Sequence, residues 1–167
     1  MQTQTLILDR RQIDQKINRI AWQIYEDNAA EKEIILAGIL SSGYFVAEKI
    51  ASALKKISSI EVNLVSIKIN KHSHHDEEVL VSINPGTLKN KIVIVVDDVL
   101  NSGKTMMYAL RPFLSADLKK LRTVVLVDRN HKSYPVSADF AGLTLATMLQ
   151  EHVSVVLNEE PEGVFLG

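Results

Sequence analysis

Ile92-Val-Ile-Val-Val-Asp-Asp-Val-Leu-Asn-Ser-Gly-Lys-Thr105 is the stretch on which the fold turns. Five successive β-branched residues, Ile92 to Val96, read as a strand buried on both faces. Asp97 and Asp98 end the apolar run, and Asn101 to Thr105 open a helix. A strand, a polar turn and a helix N-terminus therefore meet within fourteen residues. Outward from this unit the pattern repeats. Upstream, Glu33 to Leu40 is an apolar run that breaks at Ser41-Ser42-Gly43 and gives way to helical spacing at Phe45, Val46, Ile50, Ala53 and Leu54. Downstream, Thr123 to Val127 is a further buried strand that ends in Asp128-Arg129-Asn130-His131.

The flanks fill in the same scheme. Asp9 is a candidate N-cap for a helix reaching about Asn28, with Ile13, Ile17, Ile20, Ala21 and Ile24 on one face. Val62 to Ile69 alternates as a strand does. Asn70 to Glu78 is polar and holds His72, His74 and His75, so a mobile lid loop or hairpin is expected there. Val79 to Ile83 reads as its returning strand, broken by Asn84-Pro85-Gly86. Late strands are expected around Val136 to Phe140 and Val153 to Leu157. Strands and helices in this order predict an α/β fold with a mostly parallel central sheet flanked by helices, one domain over residues 1–167. Ligands of such sheets bind beyond the carboxyl ends of the strands, which puts Ser41 to Gly43, Asp97 to Thr105 and Asp128 to His131 on one edge.

Composition narrows the chemistry. The 167 residues are 46% hydrophobic and 23% charged, with 19 Lys plus Arg against 20 Asp plus Glu. A net charge of −1 gives no bulk field for nucleic acid, so any charge that matters is local. There is no cysteine, which excludes disulfides, thiolate zinc sites and thiol catalysis. No apolar run approaches the roughly 20 residues of a membrane span, and no signal-peptide pattern develops in Met1 to Arg11, so a cytoplasmic location is expected.

Residues 97 to 105 fail as a Walker A loop, because the glycine required five positions before that of Gly-Lys-Thr is replaced by Asp98, whose charge would repel phosphate. A Walker B pair would lack its partner loop, and an acidic phosphoacceptor would leave the downstream glycine and hydroxyls without a purpose. A capped, solvated turn is the plain alternative. The spacing suits a phosphorylated sugar: Asp97 and Asp98 can accept from vicinal hydroxyls, while the amides and hydroxyls of Ser102 to Thr105 form an anion nest at a helix N-terminus.

These residues resemble the phosphoribosyl diphosphate motif of type I phosphoribosyltransferases. The likeness extends to one branch, the bifunctional pyrimidine operon regulators and uracil phosphoribosyltransferases. It is carried by Leu6-Ile-Leu-Asp9, Gly38-Ile39, Val96 to Thr105, Val125-Leu-Val-Asp-Arg-Asn-His-Lys-Ser-Tyr-Pro-Val136 and Ala138 to Gly142. The resemblance implies that Asp97 and Asp98 hold the ribose hydroxyls as the catalytic pair. It implies that Asn101, Ser102, Gly103, Lys104 and Thr105 bind the 5′-phosphate, and Ser41, Ser42 and Gly43 the diphosphate. Asp128 and Arg129 would face the base. It further implies phosphoribosyl diphosphate and a nucleobase or nucleotide as ligands, uracil first among acceptors, in pyrimidine nucleotide salvage. Mg²⁺ would be held mainly by substrate and water, and the protein would be a homodimer or higher homo-oligomer. Asn101 stands where purine-using relatives often carry an Asp, and an amide cannot serve as a carboxylate base, which favours a pyrimidine or an unusual acceptor.

The chain departs from that branch at three places. Its usual Lys-Thr-Arg-Gly turn is Leu40-Ser41-Ser42-Gly43, without either cation. The tyrosine, arginine and acidic run of the lid is replaced by Ile69-Asn70-Lys71-His72-Ser73-His74-His75-Asp76, read as a solvated lid rather than a metal site. Trp22 stands where a histidine is common and reads as helix packing. RNA, the branch's second partner, needs local basic surface; Arg10, Arg11, Lys16 and Arg19 form one candidate patch and Lys119, Lys120 and Arg122 another. The alternative function is a weakly catalytic or non-catalytic nucleotide-sensing regulator.

Overall fold

A computed structural model describes residues 4–71, 77–146, 148 and 151–167. The first helix, α1 (Arg10–Asp27), starts as its sequence predicts. The amide of Gln12 donates to Asp9 Oδ1 at 2.8 Å and that of Asp9 to Gln12 Oε1 at 2.9 Å, a reciprocal capping box. Its buried stripe is Ile13, Ile17, Ile20, Ala21 and Ile24. The strand β1 (Thr5–Asp9) precedes it, followed by β2 (Glu33–Ile39), α2 (Ser42–Ile57), β3 (Glu61–Lys71), β4 (Glu77–Val81), β5 (Ile92–Leu100), α3 (Lys104–Leu114), β6 (Lys120–Asp128), β7 (Phe140–Thr144), β8 (Val153–Val156) and β9 (Gly163–Leu166).

Two sheets result. The larger has the order β4-β3-β2-β5-β6-β7, parallel throughout except for the antiparallel β3–β4 pair. Helices α1 and α2 cover one face, where Leu36, Ile94, Val96, Val124 and Leu126 meet Ile20, Ile24, Val46 and Ile50. Helix α3 covers the other through Met106, Ala109 and Phe113 against Ala37, Val93, Val95 and Val125. The mostly parallel α/β sheet flanked by helices anticipated from the sequence is thus present, in three layers. Among the described residues no helix is long and apolar enough to cross a membrane.

Four details differ from the expectation. Strand β5 continues through both aspartates to Leu100, because β6 is long enough to keep pairing with it from Ile92↔Lys120 to Leu100↔Asp128. The strand expected at 136–140 begins only at Phe140. Asp139 holds it back: its carboxylate accepts from the Thr123 amide at 2.9 Å while its own amide donates to Thr123 O at 3.0 Å. The strand expected at 79–83 runs over Glu77–Val81, and Pro85–Thr87 forms a 3₁₀ turn in which Asn84 Oδ1 accepts from the Gly86 amide at 2.9 Å. Finally, β1, β9 and β8 form a small antiparallel sheet joining the two ends of the chain. The histidines of the expected lid, His72, His74 and His75, lie outside the described residues.

Candidate functional site

Parallel pairing of β2, β5 and β6 brings their carboxyl ends to one edge, with β5 in the centre. Asp97 stands there at 9% exposure, and Asp98 is half-buried. One oxygen of each carboxylate is occupied by the chain itself: the Asp98 amide donates to Asp97 Oδ1 and the Val99 amide to Asp98 Oδ1, both at 2.8 Å. Burial pushes the Asp97 carboxyl well above the usual carboxylate range, and the neighbouring Asp98 charge adds to the shift.

The turn after β2 packs directly onto this pair. A Cβ placed on Gly43 would lie 2.8 Å from the carbonyl oxygen of Val96 and 2.9 Å from both Cα and Oδ1 of Asp97. Position 43 therefore admits only glycine without displacement of β5. The Leu40–Ser41 peptide is cis. Ser41 precedes α2 as its cap residue, and Ser42 is its first residue.

Beyond Leu100 the chain turns through Asn101, Ser102 and Gly103 into α3. Gly103 adopts φ +90°, a left-handed conformation that favours glycine, and a Cβ there would also meet Val136 Cγ1 at 2.6 Å. The Ser102 carbonyl accepts from the amides of Ser133 and Tyr134 at 2.8 and 3.0 Å, so the segment after β6 buttresses the turn. Ser102 Oγ lies 3.3 Å from the Lys104 amide, which donates to it. First-turn amides of α3 have no partner within the helix and face outward with its positive end. Lys104 is exposed, and its ammonium lies 5.9 Å from the Tyr108 ring centre. A cleft of about 40 Å³ is lined by Asp97, Asn101, Ser102, Gly103, Thr105 and Met106, among others.

The third segment is held closed by its own bonds. Asp128 is 8% exposed, and its Oδ1 accepts from the Asn130 amide at 2.8 Å while Lys132 Nζ lies 3.6 Å from Oδ2. Arg129, equally buried, donates to Asn101 Oδ1 at 2.9 Å and to the carbonyls of Glu151 and Met148 at 2.6 and 3.3 Å. That clasp, like the packing of Val136 on Gly103, has no local signal in the sequence, since it joins residues 19 or more positions apart. Among the described residues, no three or more His, Cys, Asp or Glu gather as a metal cage.

The basic patch at 119–122 is paired with acids, and that on α1 is engaged in part. Arg10 pairs with Glu160 at 3.2 Å and Glu162 at 3.5 Å, and Arg19 donates to the carbonyls of Ala141 and Gly142. Lys119 pairs with Glu31 at 2.6 Å, while Lys120 and Arg122 both reach Asp27 at 3.1 Å. Arg122 and Lys120 hold the Asp27 carboxyl below the usual carboxylate range against the opposing effect of burial. Trp22 is not packed inside: it is 49% exposed and stands edge-on to Tyr25 at 6.0 Å.

Residues 3–160 match the family model of the phosphoribosyl transferase domain. The bifunctional protein PyrR of Staphylococcus saprophyticus is 33% identical over 167 residues, covering 96% of this chain and 95% of the relative. PyrR of Macrococcus caseolyticus is 31% identical, with 92% of each chain covered. Among solved structures, a hypoxanthine-guanine phosphoribosyltransferase from Bacillus anthracis superposes with a TM-score of 0.79 over 99% of this chain and 100% of the other, at 19% identity.

Proposed function

Because this chain belongs to the phosphoribosyl transferase family, on the branch of the bifunctional PyrR proteins, we propose that it transfers ribose 5-phosphate from phosphoribosyl diphosphate to a nucleobase, uracil first. The reading treats residues 1–167 as one such domain. The observation that carries it is the juxtaposition of the Asp97–Asp98 pair, the Ser102–Thr105 nest and the Gly43 turn at one sheet edge.

In this reading the free oxygens of Asp97 and Asp98 accept from the ribose 2′ and 3′ hydroxyls. The backbone amides of Asn101, Ser102, Gly103, Lys104 and Thr105, with the hydroxyls of Ser102 and Thr105, surround the 5′-phosphate. Ser41, Ser42 and Gly43 offer amides and two hydroxyls to the diphosphate. A base nitrogen attacks C1′ as the bond to the diphosphate oxygen breaks, and the nitrogen's proton passes to solvent. Positive charge on the sugar is stabilised by the two carboxylates, so positioning and electrostatics contribute most of the acceleration. Mg²⁺ would be held mainly by the phosphate and ribose oxygens of the substrate and by water, beside the acidic pair, and when bound would offset the charge of the departing diphosphate.

Incubation with phosphoribosyl diphosphate, Mg²⁺ and a panel of bases tests this, with diphosphate release in the presence of uracil the expected result. No release with any base rejects catalysis. A second reading, a nucleotide-sensing regulator, is favoured by one specific observation: the turn at Leu40-Ser41-Ser42-Gly43 has no cation for the leaving group. Binding of uridine monophosphate without turnover is its signature. RNA as a partner draws little support from patches whose cations are mostly paired with acids or carbonyls; a salt titration of RNA affinity with and without the nucleotide tests it.

A further inference from the structure

Arg129 is fixed at both ends. Its amide donates to the Leu100 carbonyl at 3.1 Å, tying it to the end of β5, and its guanidinium donates to Asn101, Met148 and Glu151. A guanidinium is donor-only, so only the oxygen of the Asn101 carboxamide can face it. The Asn101 Nδ2 group is therefore turned away from Arg129, leaving its two N–H donors available to a ligand. Asn101 is exposed and lines the same cleft as Asp97.

The geometry points to Arg129 as a positioning residue that fixes the Asn101 carboxamide with its N–H donors available at the cleft, selecting a ligand ring that presents a carbonyl oxygen there over one that needs a proton acceptor. This deepens the sugar-phosphate reading and rests on it. A pyrimidine-2,4-dione meets the requirement, because its C2 carbonyl adjoins the ring nitrogen that bonds to the ribose and a second carbonyl stands at C4. A ring that must surrender a proton toward this position does not, since an amide nitrogen accepts none. An aspartate at position 101 would reverse the polarity: one oxygen would pair with Arg129 and the other would be an acceptor facing the ligand.

Calorimetric binding of uridine monophosphate and of ribose 5-phosphate to the full chain separates the possibilities, the second ligand reporting on the sugar-phosphate site without the ring. N101D and R129M are each expected to weaken uridine monophosphate about tenfold more than ribose 5-phosphate. Because Arg129 acts through Asn101, the N101A/R129M double variant is expected to lose no more ring selectivity than N101A alone. R129K, which keeps one charged donor, restores part of what R129M loses. Should R129M not fold, R129K takes its place, with a relative loss of about threefold expected. A ratio between the two ligands that does not move in N101D, or losses that add in the double variant, overturns the proposal while leaving the sugar-phosphate reading intact. Failure of both ligands to bind the unaltered protein defeats that reading itself.

Discussion

Replacing Gly43 by alanine tests whether the turn after β2 and the acidic pair are one physical unit. The new methyl carbon would lie 2.8 Å from the Val96 carbonyl oxygen and 2.9 Å from Cα and Oδ1 of Asp97, where contacts under 3.0 Å force a shift. Two of these atoms are backbone in the central strand, so α2 must retreat or β5 must bend. Overpacking of this kind costs about 1–3 kcal/mol. For a chain of this length each kcal/mol lowers Tm by roughly 2–4 °C, so a fall of roughly 2–12 °C is expected. The same displacement pushes on the oxygen that accepts from the Asp98 amide at 2.8 Å, so ribose 5-phosphate affinity falls with stability, by about tenfold or more. Differential scanning calorimetry and titration calorimetry on one preparation measure both. An unchanged Tm together with unchanged affinity would refute the claim that this close approach sets the site.

Asp97→Asn combined with Asp98→Asn removes two charged acceptors, each with one oxygen not occupied by the neighbouring amide; ribose 5-phosphate affinity is expected to fall at least tenfold, by calorimetry. Asp97→Asn alone carries a signed pH effect. Its carboxyl is raised in the fold, which therefore keeps a proton that the unfolded chain releases, so the wild type loses stability relative to the variant as pH rises above about 3.8, as urea unfolding across pH reads out. Asp27→Asn runs the opposite way: Arg122 and Lys120 lower the Asp27 carboxyl, so its stabilisation, about 1 kcal/mol, is present at neutral pH and disappears as pH falls below 3.8. Gly103→Ala combines a left-handed backbone with a 2.6 Å approach to Val136 and is expected to weaken ribose 5-phosphate binding and lower Tm together.

Local signals were enough for the elements whose cause is local. The Asp9–Gln12 capping box, the stripe of α1 and the β-branched run of β5 follow from near neighbours in sequence, and their pattern announced helix, strand and parallel sheet. The acidic pair and the turn at 101–105 are legible for the same reason: their groups are consecutive on one chain. The strand at 153–157 is legible, but the sheet it joins is not: β1 and β9 are only five and four residues long, and their pairing joins opposite ends of the chain.

What the sequence by itself determined was the class of fold and the residues that carry charge, hydroxyl and flexibility at the site. Only the tertiary structure decided how those residues are shared out. It closed Gly43 onto Asp97, paired Lys120 and Arg122 with Asp27, and turned Arg129 toward Asn101 and the carbonyls of Met148 and Glu151. Each of these joins segments distant along the chain, and a donor or a charge carries no mark in sequence of the partner that folding will bring within hydrogen-bonding reach of it.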